Sequence, residues 1–139
     1  MRDMFFIDTN IFVYSFDTTN SKKQKIAIDI IDKARSTCSG TISTQVVQEF
    51  LNVATRKFKT PINAQDSKVY LAKVLEPLCK VYSDFPLFEL AIYLQATTKY
   101  SFYDSLIIAA ALKGNCRILY TEDLQNDQRI YDLTIKNPF

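Results

Sequence analysis

The chain contains short apolar runs that stop abruptly at polar residues. The first run, residues 4–7, ends at Asp8, Thr9 and Asn10. Such a run is typical of a strand that is buried on both faces, as in a parallel sheet. Ligands of open parallel sheets bind just beyond the carboxyl ends of the strands. Asp8 is therefore expected either to serve the protein's chemistry or to cap the helix that follows it.

Further strands are predicted at residues 41–43, 80–82, 117–120 and 130–135. Between the strands, apolar residues recur at helical spacing. This spacing predicts helices over residues 11–16, 22–35, 44–54, 64–75, 83–98 and 101–113. Strands that alternate with helices predict an α/β fold with a parallel sheet and right-handed crossovers.

The helix predicted from residue 101 is apolar nearly all round, so we expect it to be buried. Ser101 and Asp104 match the spacing of a capping box, and Gly114 fits the position just past the helix end. Capping a helix is thus a sufficient structural explanation for Asp104. Pro77 is expected to stop the helix predicted over residues 64–75.

The helix over residues 44–54 carries a second candidate acid. At about 100° per residue, Glu49 lies on the flank of its apolar face, whereas Gln45, Gln48 and Asn52 point further away. Glu49 is therefore either a solvated boundary residue or a side chain that faces a cleft.

Length and composition favour one globular domain over residues 1–139. The chain has 47% hydrophobic residues, and no apolar run approaches the ~18 residues of a membrane span. The N-terminus lacks the basic and then apolar pattern of a signal peptide. We therefore expect a cytoplasmic protein without a membrane partner.

The residue types that are absent or rare in the chain exclude several classes of active site. The chain has no histidine, which excludes Ser-His-Asp and Cys-His catalysis, and only two glycines, which exclude Walker A and GxGxxG loops. The three cysteines, Cys38, Cys79 and Cys116, are far apart, so neither a disulfide framework nor a zinc site is expected. Acid–base or metal chemistry must then depend on carboxylates, hydroxyls, lysines or tyrosines.

Positive charge is modest, with a net charge of +2. Basic clusters at residues 22–25 and 56–59 are interpreted either as phosphate contacts or as solvated helix ends.

Four acids are predicted to gather at one edge of the sheet. Asp8 and Asp123 follow strands, Glu49 lies in the second turn of its helix, and Asp104 lies in the first turn of the buried helix. Strand ends and the starts of the following helices share an edge in a right-handed parallel fold, and Asp104 joins the other three acids if its helix runs parallel to the other crossover helices. Carboxylates in one cleft need a counter-charge, and Mg²⁺ prefers oxygen ligands while using only one or two protein carboxylates.

Such a site suits phosphodiester hydrolysis. Hydroxyl and amide groups beside the acids would orient them through hydrogen bonds. The candidates for this supporting role are Thr9, Asn10 and Thr121.

Taken together, these segments resemble the PIN-domain ribonucleases and, among them, the VapC-like toxins of type II toxin–antitoxin pairs. The resemblance covers essentially the whole chain. It rests on FIDTN at 6–10, VQEF at 47–50, FYDSLI at 102–107, TEDLQ at 121–125 and LTIKNPF at 133–139.

The resemblance implies a three-layer α/β/α sandwich with a central parallel sheet of about five strands, and RNA cleavage that depends on Mg²⁺ or Mn²⁺. It implies Asp8 and Asp104 as the principal metal ligands, with Glu49 and Asp123 completing the acidic site, and it favours Asp123 over Glu122. It also implies a homodimer and an antitoxin partner.

One departure from the family concerns the loop after the last acid. The family often has Asp-Gly there, whereas this chain reads Asn126-Asp127-Gln128.

Three other functions stay open from the sequence. The chain could be a housekeeping PIN nuclease in RNA processing, or a non-catalytic module that binds RNA or a protein partner. It could also carry a phosphorylated aspartate, as in phosphatases and receiver domains. Asn10 counts against a phosphatase, because such sites usually have a second acid two residues after the first.

Overall fold

The computed structural model describes residues 3–139, so residues 1 and 2 of the predicted domain lie outside the described residues. The strands are β1 (Met4–Ile7), β2 (Gly40–Ser43), β3 (Cys79–Val81), β4 (Cys116–Tyr120), β5 (Arg129–Ile130) and β6 (Leu133–Lys136). The helices are α1 (Thr9–Tyr14), α2 (Ser21–Thr37), α3 (Thr44–Arg56), α4 (Ala64–Tyr70), α5 (Glu76–Leu78), α6 (Phe85–Thr98) and α7 (Phe102–Lys113), with a π-helical turn at Leu71–Leu75.

Within residues 3–139 the sheet has the strand order β3-β2-β1-β4-β6-β5. The first five strands of this order are parallel to their neighbours, and β5 pairs antiparallel with β6 at one edge. The predicted α/β class and parallel sheet are therefore confirmed, with one short antiparallel strand added.

Strand order and crossover handedness place the helices on both faces of the sheet. The chain steps outward from β1 to β2 and β3, and then returns past β1 to form β4. Because parallel crossovers are right-handed, this reversal puts α6 and α7 on the face opposite to α2. It also makes the neighbouring ends of β1 and β4 a topological switch point, where open α/β sheets bind ligands.

Backbone hydrogen bonds align the carboxyl ends of three neighbouring strands. The Asp8 N–H donates to the Tyr120 carbonyl, and the Thr121 N–H donates to the Lys136 carbonyl, both at 3.0 Å. The residues that follow β1 and β4 thus leave the sheet at the same level.

The strand that carries Asp8 is anchored in the core. Phe6 and Ile7 are fully buried in β1, and Ile108 and Leu119 are fully buried in α7 and β4. Buried apolar side chains of this size each stabilise the fold by roughly 1.5–3 kcal/mol, so β1 is held firmly in place.

The buried helix predicted from residue 101 is confirmed as α7. Its six residues from Leu106 to Ala111 are all buried. Ser101 is the N-cap, since its hydroxyl accepts the Asp104 N–H at 3.1 Å, and Gly114 is the C-cap.

Two predicted elements were wrong in detail. Residues 130–135 form a hairpin rather than one strand, because Tyr131 adopts a left-handed φ of 54° and turns the chain. The helix from residue 64 does not stop before Pro77 but continues to Leu78. The Glu76 N–H bonds back to the Leu71 carbonyl in the wider π-turn, and Pro77 sits in the first turn of α5, where its missing N–H costs little.

Left-handed backbone occurs without glycine. Among the described residues, no glycine has a positive φ. The loop after Asp123 turns at Asp127, which has φ 68° and donates its N–H to the Ile135 carbonyl. Aspartate tolerates this conformation better than most residues, so the turn forms without the family's glycine. The other positions of this kind are Cys38, Lys99, Asn115 and Tyr131.

Helices between residues 3 and 139 are too short or too polar to cross a membrane.

We predict that Gly40→Ala destabilises the protein. A Cβ on Gly40 would lie 2.2 Å from the Ala34 Cβ in α2 and 3.2 Å from the Phe5 ring, so α2 would have to move away from β2. Overpacking of this kind costs about 1–3 kcal/mol, which urea unfolding would measure.

Gly114→Ala is the matched control, because its Cβ would come no closer than 3.2 Å to the Thr41 methyl group. Its expected change in unfolding free energy is within about 1 kcal/mol. Equal stabilities of Gly40→Ala and wild type would contradict the close approach of α2 and β2.

Candidate active site

A cleft of about 520 Å³ opens at the switch point of the sheet. All four predicted acids line it: Asp8, Glu49, Asp104 and Asp123. They come from the end of β1, from α3, from α7 and from the loop after β4. The cleft therefore joins side chains from both helical layers and from the sheet edge between them.

Asp8 is the buried acid of the cleft, with 8% of its surface exposed. Its carboxylate accepts the Thr9 N–H at 2.7 Å and the Thr121 hydroxyl at 2.8 Å. Burial raises the pKa of Asp8 from 3.8 to about 7; these two hydrogen bonds oppose the rise, and the charges of Glu49 and Asp123 add to it. Ionised Asp8 is thus costly unless a cation offsets its charge.

Thr121 connects the polar groups beneath the cleft and is completely buried. While it donates to Asp8, its oxygen accepts the Asp123 N–H at 3.1 Å and the Asn10 side-chain amide at 3.3 Å. The same Asn10 amide donates to the Asp123 carboxylate at 2.9 Å. One threonine therefore fixes Asp8 and Asp123 relative to each other.

Glu49 is oriented from the opposite side of the cleft. The Thr9 hydroxyl donates to its carboxylate at 2.8 Å. Because Thr9 begins α1 directly after Asp8, the end of β1 and the middle of α3 are linked through adjacent residues.

Asp104 differs from the other acids. Ser101 caps α7 through the Asp104 backbone, but the Asp104 carboxylate makes no hydrogen bond or ion pair within residues 3–139. The reciprocal half of the predicted capping box is therefore not formed. Its charge remains available to a ligand in the cleft.

Glu122, next to Asp123, is directed elsewhere. It accepts the Tyr14 hydroxyl at 3.0 Å and pairs with the Lys23 ammonium at 3.1 Å. Lys23 also lies 4.6 Å from the centre of the Tyr14 ring. The two neighbouring acids thus point to different surroundings, and of the two only Asp123 lines the cleft.

Gln45 was expected to point away from the apolar face of α3, and this prediction was wrong. Gln45 is buried, lines the cleft and donates its side-chain amide to the Tyr103 carbonyl at 3.2 Å. Asn52 is exposed but also lines the cleft, whereas Gln48 does not line it, as expected. The first turn of α7 covers Gln45, and helical periodicity within α3 carries no signal of that neighbour.

Tyr103 and Lys57 also line the cleft and were not predicted as site residues. Tyr103 is 67% exposed. Tyr103 could have been predicted as a site residue from its position next to Asp104. Lys57 could have been predicted from the basic cluster at residues 56–59.

A family model for the PIN domain matches residues 5–131. The chain belongs to the PIN-domain family. A comparison with curated proteins gave no match.

Several solved structures share this PIN fold. A chain of a toxin–antitoxin complex from Klebsiella pneumoniae is 16% identical with a TM-score of 0.68, covering 96% of this chain and 97% of that one. A chain of FitAcB from Neisseria gonorrhoeae is 16% identical with a TM-score of 0.67, covering 97% and 98%. VapC20 from Mycobacterium tuberculosis, a sarcin–ricin loop cleaving toxin, is 18% identical with a TM-score of 0.60, covering 86% and 89%. At these identities the likeness is one of fold.

PIN domains typically depend on a metal, and the donor set of this cleft fits a hard divalent cation. Within the described residues, no three Asp, Glu or Cys side chains form a group that could hold a metal alone. Mg²⁺ does not require such a group, because it binds one or two carboxylates and keeps several waters. Two buried oxygens in the cleft wall, Asn10 Oδ1 and Gln45 Oε1, lack hydrogen-bond donors within residues 3–139 and could accept from those waters.

We predict that, in EDTA, the unfolding free energy of Asp8→Asn increases relative to that of wild type as the pH rises. A raised pKa in the folded state means that native Asp8 holds its proton more tightly than unfolded Asp8. Wild type therefore loses stability between about pH 4 and pH 7, whereas the amide introduced by the substitution does not titrate.

The difference in unfolding free energy between the two proteins should grow by roughly 2 kcal/mol from about pH 5 to about pH 8. Urea unfolding at both pH values measures it. A difference independent of pH would show that Asp8 titrates normally.

Proposed function

We propose that the chain is a single PIN-domain endoribonuclease that hydrolyses RNA phosphodiester bonds with Mg²⁺ or Mn²⁺. The observation that carries this proposal is the convergence of four acids on one cleft, with Asp8 buried among hydrogen-bond donors. The chain has no histidine for acid–base work, so carboxylate chemistry is the consistent choice. Membership of the PIN family supports the same function.

Asp8 and Asp104 are the residues that would hold the cation. A divalent ion supplies stabilisation of the negative charge that builds on a phosphoryl group, and it lowers the pKa of a bound water. Glu49 and Asp123 complete the site, directly or through water.

The supporting residues act on the carboxylates. Thr121 holds Asp8, Thr9 holds Glu49, and Asn10 holds Asp123 in place. Groups that orient ligands in this way commonly change metal affinity or activity by about 10–100-fold when they are removed.

The proposal includes two protein partners. A cognate antitoxin is supported by the chain of the same fold from Klebsiella pneumoniae, which was solved in a toxin–antitoxin complex. A homodimer follows from the resemblance to VapC-like toxins. A small gene for a DNA-binding antitoxin directly upstream would separate a toxin from a housekeeping PIN nuclease.

We predict that the purified protein cleaves total RNA with Mg²⁺ or Mn²⁺, and that excess EDTA stops the reaction. Asp104→Asn should slow cleavage by about 100-fold or more, and Asp123→Asn by about 10–100-fold, because each removes a charge from the cleft. Gel analysis of the RNA measures the rates, and mapping the cut ends identifies the target.

Glu122→Gln is the matched control, since Glu122 adjoins Asp123 but does not line the cleft, and its carboxylate pairs with Lys23, which does not line the cleft either. Its rate should stay within about twofold of wild type. Metal-independent cleavage, or equal losses in Glu122→Gln and Asp123→Asn, would contradict the assignment. No cleavage, together with no binding of Mg²⁺ or Mn²⁺ by calorimetry, would favour a non-catalytic module.

A further prediction concerns assembly. With a mass of 16.0 kDa per chain, a homodimer has twice that mass in light scattering. A monomer at all protein concentrations would contradict the dimer.

A further inference from the structure

One wall of the cleft is formed by side chains of α3 and of Lys57, the residue that follows α3. Gln45, Glu49, Val53 and Lys57 follow one another at intervals of four residues, and Asn52 lies beside them. Residues four apart share a face of a helix. The row therefore starts beside α7, passes the acidic site at Glu49 and ends at Lys57.

Lys57 is the basic residue among the side chains that line the cleft. Among the described residues its ammonium makes no ion pair, hydrogen bond or cation–π contact. It faces a cleft that otherwise carries four acids. An unpaired ammonium at the end of an acidic cleft is suited to hold a negatively charged ligand near carboxylates that would otherwise repel it.

The backbone at Lys57 is held firmly, although it ends a helix. Its N–H donates to the Val53 carbonyl at 2.7 Å. The next residue, Phe58, packs its ring against Phe50 and Phe16, with centroids 6.2 Å and 5.6 Å apart. Because the backbone is fixed, the distance between the Lys57 ammonium and Glu49 varies mainly with the conformation of the Lys57 side chain.

The distance between Lys57 and Glu49 in the acidic site corresponds to the length of a few nucleotides. Glu49 and Lys57 are eight residues apart, which is about 12 Å along a helix. A stacked strand advances by about 3.4 Å per nucleotide, and an extended strand by more. The two residues therefore span roughly two to four linkages of an RNA strand lying along α3.

We propose that Lys57 is a substrate-binding residue that contacts an RNA backbone phosphate about two to four linkages from the scissile one. This inference rests on the proposed ribonuclease function and adds a binding position to it. A phosphate contact positions the strand without reading its sequence.

A purely structural role for Lys57 predicts a different outcome. A basic residue in the last turn stabilises a helix through its dipole, and Arg56 shares that position. Arg56 is exposed but does not line the cleft. Arg56→Ala is therefore the matched control for removal of positive charge at this helix end.

Steady-state cleavage of a defined RNA oligonucleotide tests the inference. Lys57→Ala should raise KM roughly five- to tenfold and leave kcat within about twofold, because the phosphate is bound both before and during the reaction. The slope of log kcat/KM against log salt should become shallower by about 0.7, which is the change expected when a protein neutralises one phosphate fewer on a single strand. Arg56→Ala should change neither quantity, and Lys57→Arg should restore both.

The contact can be located with oligonucleotides that carry one uncharged methylphosphonate linkage at successive positions. For wild type, one position about two to four linkages from the cut should raise KM by about the same factor as Lys57→Ala. For Lys57→Ala, that position should have no further effect. Equal sensitivity of both proteins at every position, or an unchanged salt slope, would overturn the inference.

Failure of the proposed function is recognised separately. If wild type does not cleave, fluorescence anisotropy of labelled RNA in EDTA still compares the variants. Weaker binding by Lys57→Ala than by Arg56→Ala would support the RNA contact without catalysis. Equal binding by both variants, or no binding by wild type, would overturn it.

Discussion

The hydrogen bond from the buried Thr121 hydroxyl to the Asp8 carboxylate is the interaction on which the cleft depends. It joins the ends of two neighbouring parallel strands, and it does so only because the backbone register brings those ends to one level. The same oxygen receives the Asp123 N–H and the Asn10 amide, so one side chain determines the placement of two acids. A buried carboxylate is costly, and this network offsets part of that cost.

The pattern of apolar runs was sufficient to predict the parallel part of the sheet and the position of Asp8 after its first strand, because burial on both faces leaves a strong local signal in the sequence. It also predicted α7, whose apolar surface and Ser101 cap are features of adjacent residues. The four acids lie in one cleft because fold topology carries strand ends to a common edge. Their catalytic roles remain a prediction.

The features that the sequence did not reveal depend on contacts between distant segments. Gln45 is buried only because the first turn of α7 lies against it. The hairpin at Tyr131 has no glycine or asparagine at its turn, and Asp132 alone is a weak turn signal. The π-turn before Pro77 depends on a shift in hydrogen bonding that composition does not encode. The different directions of Glu122 and Asp123 depend on Lys23 and Tyr14, about a hundred residues earlier in the chain.

The use of ordinary residues where glycine is favoured has a consequence for how the protein can change. Five described positions have a left-handed φ, and none of them is a glycine. Such backbone costs a residue with a side chain roughly 1–2 kcal/mol, most for Tyr131 and Lys99 and least for Asn115 and Asp127. Each of these positions therefore lowers the free energy of unfolding, in opposition to the buried core. Glycine at Lys99 or Tyr131 would relieve the largest of these costs, and neither residue lines the acidic cleft.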